Sequence, residues 1–113
     1  MNIIFKDNKL KKYANNDSLA IRKLGKIRAK IYKARLDDIS VAESIEELRN
    51  VPGNYHELTQ NRKGQWACDL DQPYRLIFEP QENPIPVDDD GKYIWIEIKG
   101  VKIKEIINYH KER

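Results

Sequence analysis

The chain has 113 residues and a mass of 13.4 kDa, so we expect a single domain over residues 1–113 with a core of its own. Its single cysteine excludes an internal disulfide, and no apolar run approaches the roughly 20 residues that cross a bilayer. The first residues are too short an apolar stretch for a signal peptide, so we expect a cytoplasmic protein without membrane contact. The net charge of +3 excludes little by itself.

The first part of the chain predicts a short strand followed by a helix. Residues 2–5 have the apolar character of a strand, and residues 6–16 are a polar connection or a turn or two of helix. Over residues 17–36 the apolar positions recur with the helical period of 3.6. The residues on this predicted face are Ala20, Leu24, Ile27, Ile31 and Ala34.

A second, shorter helix is predicted directly after the first. Ser40 and Glu43 have the spacing of a capping box, and the helix that they open would end near Arg49, before Pro52 and Gly53. Helices joined by so short a connection favour an antiparallel hairpin.

The second half of the chain predicts strands. Residues 55–59, 65–70 and 74–78 alternate apolar and polar side chains, with turn residues between them, in the order of an antiparallel meander. A loop over residues 80–92 precedes further alternation in residues 93–98 and in the last predicted strand, residues 101–107. We therefore expect an α+β fold, with an N-terminal helical hairpin packed on one face of a mainly antiparallel sheet.

Two histidines are the candidate proton-transfer groups. His56 lies in the first strand of the meander, where alternation points its side chain away from the face of Tyr55. His110 follows the last predicted strand. Cleaving a phosphodiester without a metal needs one group that takes a proton and one that gives a proton. Each histidine alone is more commonly an ordinary surface residue, but the pair favours a nuclease.

Three cations could hold a phosphate beside these histidines. Arg62 and Lys63 lie at the tip of a predicted hairpin, where cations also serve solubility. Arg75 stands inside an otherwise apolar strand, on the same face as Ile77. An arginine fixed on a sheet can bind a phosphate through two hydrogen bonds, although an exposed strand face would also explain it.

Other features point to no metal or cofactor and leave a basic segment open to interpretation. Two histidines and one cysteine, widely separated, lack the usual spacing of metal ligands, and no glycine-rich phosphate loop is present. Residues 22–35 carry cations without an acidic residue among them, which fits either a nucleic-acid-binding helix or an ordinary solvated helix face.

Several short motifs occur in a recognisable order along the chain. They are Val51-Pro-Gly-Asn, His56-x-Leu58, Asn61-Arg-Lys-Gly-Gln-Trp66, Tyr74-Arg-Leu-Ile-Phe78 and the terminal Tyr109-His110. In this arrangement the chain resembles the HigB toxins of the RelE/ParE superfamily of bacterial toxin–antitoxin modules. The resemblance implies a RelE-like fold and a ribosome-dependent endoribonuclease that cuts mRNA without a metal or other cofactor.

The resemblance also implies roles for particular residues. His56 and His110 would transfer protons, Tyr109 would orient the attacking 2′-hydroxyl, and Arg75 would stabilise the phosphorane with Arg62 or Lys63. The products would be a 2′,3′-cyclic phosphate and a 5′-hydroxyl. The implied partners are the ribosome, mRNA and a HigA-like helix-turn-helix antitoxin, with which the toxin would form a hetero-oligomer.

One position departs from the family pattern. An acidic residue usually precedes the terminal Tyr-His, and here that residue is Asn108, whose amide could hold the imidazole without stabilising its charge. Two other functions remain open at this point. One is a non-catalytic toxin of the ParE kind that binds a protein such as gyrase, and the other is a nucleic-acid-binding module that uses the basic segment.

Overall fold

Helices packed on one face of a mixed sheet give the protein an α+β fold, as predicted. A computed structural model describes the backbone of residues 1–112 and the side chains of residues 1–110. The strands are β1 (Asn2–Phe5), β2 (His56–Glu57), β3 (Trp66–Asp69), β4 (Tyr74–Pro80) and β5 (Gly100–Asn108). The helices are α1 (Asn8–Asn15), α2 (Asp17–Leu24), α3 (Lys26–Val41) and the short α4 (Tyr109–Glu112). Turns of 3-10 helix cover Ile45–Asn50, Gln60–Arg62 and Trp95–Glu97.

The strand order is β1-β5-β4-β3-β2, with β1 parallel to β5 and the other neighbours antiparallel. The predicted meander of β2, β3 and β4 is therefore confirmed, and β5, predicted as the last strand, continues it and lies inside the sheet. Ile77 pairs with Glu105 and Phe78 with Ile103, so Lys104 is an extra residue that forms a β-bulge in β5.

The core lies between the helices and one face of the sheet. Trp66, Leu76 and Phe78 project from β3 and β4 and are fully buried, and Tyr32 and Ile39 of α3 meet them from the other side. Burial of each such side chain contributes about 1.5–3 kcal/mol to folding.

The helices of the N-terminal half begin and end at other residues than the sequence predicted. Gly25, at φ +90°, separates α2 from α3, so residues 17–36 are not one helix. Because the break resets the helical phase, the predicted apolar face is wrong at two of its three positions beyond the break: Ile27 is 69% exposed and Ala34 is exposed, whereas Ile31 is partly buried against the core. The side chains of α3 that reach the core are Ala29, Tyr32, Leu36 and Ile39.

The predicted second helix is also wrong. Ser40 lies within α3 and its hydroxyl donates to the carbonyl of Asp37 at 2.7 Å, so it does not open a capping box with Glu43. The 3-10 turn over Ile45–Asn50 replaces that helix and still buries Ile45 and Leu48. Helix α3 runs further than predicted because Ile39, in its last turns, completes its buried face.

The alternation over residues 93–98 does not form a strand. Tyr93 makes an isolated bridge to Val87, and Trp95–Glu97 is a 3-10 turn. The apolar pattern arises because Trp95 packs edge-on against Trp66, at 5.4 Å between ring centroids, and Ile98 is fully buried. The last strand begins at Gly100 and continues to Asn108.

Candidate active site on the open face of the sheet

The face of the sheet that points away from α1, α2 and α3, which we call the open face, carries most of the candidate residues. Side chains alternate between the two faces of a strand, and residues paired in register share a face. Three successive rows cross the open face: Asp69, Arg75 and Ile107; then His56, Ala67, Ile77 and Glu105; then Glu79, Lys102 and Ile4. The expected orientations of His56 and Arg75 are thus confirmed.

The centre of the middle row, formed by Ala67 and Ile77, is an apolar floor between two rows that carry charged side chains. Ala67 and Ile77 are fully buried although no core helix covers this face, so side chains of the same face must cover them. A phosphate placed here would contact charged side chains above a dry floor, where electrostatic attraction is stronger than in water.

Arg75 is held in place from two sides. Its guanidinium carbon lies 3.7 Å from the centroid of the Tyr109 ring, and its Nε lies 3.8 Å from Oδ1 of Asp69. Asp69 is fixed in turn, because its Oδ1 accepts from the amide of Asn54 at 3.3 Å. A stacked guanidinium keeps its N–H groups in one plane, which is the geometry that binds two phosphate oxygens.

The segment after β5 returns to the sheet beside Arg75. The backbone N–H of Tyr109 donates to the carbonyl of Pro73 at 2.8 Å, which joins α4 to the β3–β4 turn. The rings of Tyr109 and His110 lie 6.0 Å apart, and His110 is exposed. Oδ1 of Asn108 accepts from the backbone N–H of His110 at 3.1 Å, so this amide oxygen supports the start of α4.

The ring of His56 has a fixed orientation. Its Nδ1 lies 2.7 Å from the carbonyl oxygen of Asn54. A carbonyl only accepts hydrogen bonds, so Nδ1 carries the proton and Nε2 of the neutral ring keeps its lone pair. This nitrogen is therefore available to take a proton from a bound group.

Arg75 lies between the two imidazoles in the order of the strands. His56 is on β2, two strand spacings or about 10 Å from β4. His110 follows β5, which borders β4 on the other side. The fold thus places His56 and Arg75 on the open face, with Tyr109 stacked on Arg75 and the ring of His110 beside that of Tyr109.

The two cations of the hairpin tip reach different places. Arg62 donates to the side chain of Gln65 at 2.9 Å and lies 3.6 Å from Glu105, on the open face. Lys63 has its Nζ 5.5 Å from the centroid of the Tyr93 ring, so it points toward the loop over residues 80–92.

Sequence reasoning missed the carboxylates of the open face. Glu79 lies 3.3 Å from Lys104, just as Asp69 and Glu105 accompany Arg75 and Arg62. Strand alternation could have found Asp69 and Glu79, because each stands two residues from Ala67 or Ile77 on its strand. The third carboxylate, Glu105, could not be found in this way, because the bulge at Lys104 interrupts the alternation in β5.

Neither a thiol nor a metal offers alternative chemistry in the part of the chain that the structure describes. Cys68 is fully buried on the core side, and burial raises the pKa of its thiol, which disfavours a nucleophilic thiolate. Among residues 1–110 no three His, Cys, Asp or Glu side chains are grouped so that they could hold a metal ion.

Comparison with known proteins agrees with this fold. Residues 3–89 match the model of the HigB-like toxin family, described as the RelE-like toxin HigB of a type II toxin–antitoxin system. The match ends before β5, so Tyr109 and His110 lie outside it. The chain is also 33% identical over 64 residues to an uncharacterized protein of Haemophilus influenzae strain Rd.

That similarity covers 53% of this chain and 63% of the Haemophilus protein, so the chain spans less than two thirds of its relative. Within the described residues, no helix has the length and apolar character that a membrane crossing requires. The family match extends over well more than half of the chain and confirms the resemblance noted in the sequence. The chain therefore belongs to the HigB-like family of RelE-like toxins of type II toxin–antitoxin systems.

Proposed function

We propose that this protein is a metal-independent endoribonuclease that cuts mRNA in the ribosomal A site. A HigA-like helix-turn-helix antitoxin would neutralise it by forming a hetero-oligomer, and the toxin would act in the cytoplasm. The observation that carries the proposal is the position of Arg75, stacked on Tyr109 and carried by β4, which lies between the strand of His56 and the strand that leads to His110.

The first role is to hold the scissile phosphate. The guanidinium of Arg75 is already oriented by Tyr109 and Asp69, so little reorganisation is needed when charge builds on the phosphorane. Removal of one such preorganised donor typically costs about 10²–10³-fold in rate. Arg62 adds positive charge beside the middle row, and Lys63 would contact the RNA further along.

The second role is proton transfer. Nε2 of His56 takes the proton of the 2′-hydroxyl, because Nδ1 already donates to Asn54. The 2′-oxygen then attacks phosphorus, and the bond to the 5′-oxygen breaks. His110 gives that oxygen a proton, so the products are a 2′,3′-cyclic phosphate and a 5′-hydroxyl. The phenol of Tyr109 orients the 2′-hydroxyl.

The openness of the site supports dependence on the ribosome. His110 is exposed, and the site lies on the face of the sheet without the core helices. A surface of this kind does not enclose an RNA strand, so another body must hold the strand in line for attack. The A site of a translating ribosome would supply that enclosure.

The basic segment favours this proposal over a separate nucleic-acid-binding helix. Arg28 pairs with Asp71 at 2.9 Å, Lys33 pairs with Asp17 at 2.6 Å, and Arg35 donates to a backbone carbonyl at 2.7 Å. Arg28 and Arg35 are engaged with the rest of the fold and Lys33 is paired with a carboxylate, which reduces the charge available for a phosphate backbone.

The test uses purified ribosomes programmed with a defined mRNA. Arg75→Ala and His110→Ala should each lower the cleavage rate about 100-fold or more while thermal unfolding stays near that of the parent chain. Lys30→Ala, an exposed cation of α3, is the matched control and should cleave normally. Toxin that is treated with EDTA and then freed of the chelator should cleave at the parent rate on ribosomes in ordinary buffer, and the cut RNA should carry a cyclic phosphate. Full activity of both variants, or inhibition of gyrase without RNA cleavage, would overturn the proposal.

A further inference from the structure

A cleft of about 380 Å³ opens on the same face, at the other end of β4 from Arg75. Its floor is the third row of the open face, Glu79, Lys102 and Ile4, and its walls are the hairpin tip and the loop over residues 80–92. Glu79 and Arg75 are four residues apart on one strand face, a separation of about 13 Å. Its volume lies within the range of small-molecule sites.

The loop wall of the cleft is fixed in place. The side-chain amide of Gln81 donates to the carbonyls of Asn2 and Val101 at 3.1 and 2.8 Å, which ties the start of the loop to the sheet. The carboxylate of Glu82 accepts from the backbone N–H of Lys99 at 2.7 Å. The wall is therefore preformed, and a ligand need not order it on binding.

The opposite wall is the hairpin tip, which fits closely against the loop. Gly64 has φ +94°, and a Cβ added there would lie 3.3 Å from Cδ1 of Ile85. Only glycine readily combines this conformation with so close an approach. The contact brings Lys63 over the ring of Tyr93, so a cation and an aromatic side chain line the cleft together.

We propose that this cleft binds a nucleobase of the RNA strand whose phosphate is held at Arg75, and that it thereby sets a base preference near the cut. The proposal rests on the proposed function, because it assumes that the strand runs along the open face. At about 3.4 Å per stacked nucleotide, 13 Å spans four nucleotides at most. The preferred base should therefore lie within four positions of the cut bond.

The chemistry of the lining fits a base joined to a phosphate backbone. Lys63 and Lys102 are cations that can meet phosphates, and Tyr93 and Ile85 supply apolar contact for a ring. The amides of Gln65 and Asn83 offer donors and acceptors of the kind that read base edges. This mixture suits a base edge better than an isolated anion or an apolar ligand.

The first test measures binding without cleavage. Each of the four nucleoside 5′-monophosphates is titrated into the labelled full chain, and backbone amide shifts are followed by NMR. We expect one or more of them to shift Gly64, Ile85 and Tyr93 saturably, with at least fivefold weaker binding in Lys102→Ala. Shifts confined to the Arg75 region, or scattered over the surface, would overturn the proposal even for an active nuclease.

The second test reads the base preference itself. Ribosome-bound mRNA with randomised codons is cut by the parent chain and by Asn83→Ala and Lys102→Ala, and the 5′ ends are sequenced. We expect a preference at one position within four nucleotides of the cut to fall at least threefold in both variants. Lys99→Ala, an exposed lysine outside the cleft lining, should keep it. An unchanged profile in both variants overturns the base subsite and leaves the nuclease standing, whereas absence of cleavage by the parent chain overturns the nuclease.

Discussion

The two faces of the sheet use polar side chains in different ways. On the core face the tyrosine hydroxyls are buried and hydrogen-bonded: the hydroxyl of Tyr32 donates to the carbonyl of Leu10 at 2.8 Å, and that of Tyr55 donates to Asp38 at 3.1 Å. On the open face, arginine and lysine side chains stand beside carboxylates, half-buried, along the rows around Ile77. The difference indicates that one face supplies stability, and that the other offers the charges that the proposed function would use on RNA.

The largest change in the free energy of unfolding should come from a substitution on the core face. Phe78→Ala removes a fully buried ring that contacts the rings of Tyr55 and Trp66, so it should lower the free energy of unfolding by about 3–5 kcal/mol. Urea denaturation followed by tryptophan fluorescence measures this loss. Val41→Ala, which truncates an apolar side chain that is 82% exposed, should change it by less than about 0.5 kcal/mol. A loss below about 1 kcal/mol for Phe78→Ala would contradict the assignment of this face.

The strands of this sheet were easier to predict than the helices. Alternation in residues 55–59, 65–70 and 74–78 gave β2, β3 and β4, and with them the faces of His56 and Arg75. The helical period failed at Gly25, because an isolated glycine is compatible with a helix until tertiary packing selects its positive φ. Residues 93–98 alternate like a strand but do not form one, because their apolar side chains pack on the core while their backbone has no strand partner.

The candidate site was predictable in its residue types but not in its contacts. Nothing in the spacing of Arg75 and Tyr109 shows that their side chains stack, because the contact depends on how α4 returns to the β3–β4 turn. The bond from His56 to Asn54 depends on a positive φ at Asn54, which sequence does not reveal. The role of Asn108 at the start of α4 was likewise hidden.

Alkaline pH should lower the free energy of unfolding through two tyrosines of the core face. Burial raises the pKa of both Tyr32 and Tyr55 above the ordinary value of 10.0. Above pH 10 these tyrosines ionise in the unfolded chain but stay neutral in the folded chain, so the free energy of unfolding falls as pH rises. Each tyrosine contributes a slope of about 1.4 kcal/mol per pH unit.

Urea titrations between pH 8 and 11 measure this slope. Tyr55→Phe should reduce the loss between pH 10 and 11 by about 1 kcal/mol relative to the parent chain, because the tyrosine of the unfolded chain is only half ionised at pH 10. Tyr13→Phe removes the same hydroxyl from a half-buried tyrosine of α1, and its pH profile serves as the comparison for Tyr55→Phe. An identical pH profile for the parent chain and Tyr55→Phe would show that Tyr55 ionises equally in both states.

A contact at the edge of the sheet should couple the two faces. Arg28 of α3 forms two hydrogen bonds to Asp71 and lies 3.4 Å above the ring of Tyr74, next to the turn whose Pro73 accepts from Tyr109. Arg28→Ala should lower the free energy of unfolding by about 1–2 kcal/mol. It should also reduce RNA cleavage several-fold, because the turn that positions α4 loses its support.

Denaturation and ribosome-bound cleavage assays on one preparation test this coupling. Lys33→Ala removes an exposed cation of α3 that pairs with Asp17 of α2. It should change neither the free energy of unfolding nor the cleavage rate measurably. Loss of stability without loss of cleavage in Arg28→Ala would show that the turn does not position α4.

The smallest effect on stability should come from the open face, whose charges the proposed function assigns to RNA binding. Glu79→Gln removes the carboxylate beside Lys104, a pair that is 27% and 19% exposed, and should change the free energy of unfolding by about 1 kcal/mol or less. The same change leaves one more uncompensated cation on the face to which the proposed function assigns the phosphate backbone. Binding of single-stranded RNA should therefore tighten and fall more steeply with salt, by about 0.7 in the logarithmic slope for each additional phosphate contact.

Fluorescence anisotropy at several salt concentrations measures both the affinity for RNA and its salt dependence. Glu43→Gln, which changes an exposed carboxylate on the helical side, should leave them unchanged. Weaker binding in Glu79→Gln would mean that this carboxylate holds Lys104 in position for RNA, and that stability and recognition on the open face depend on the same pair.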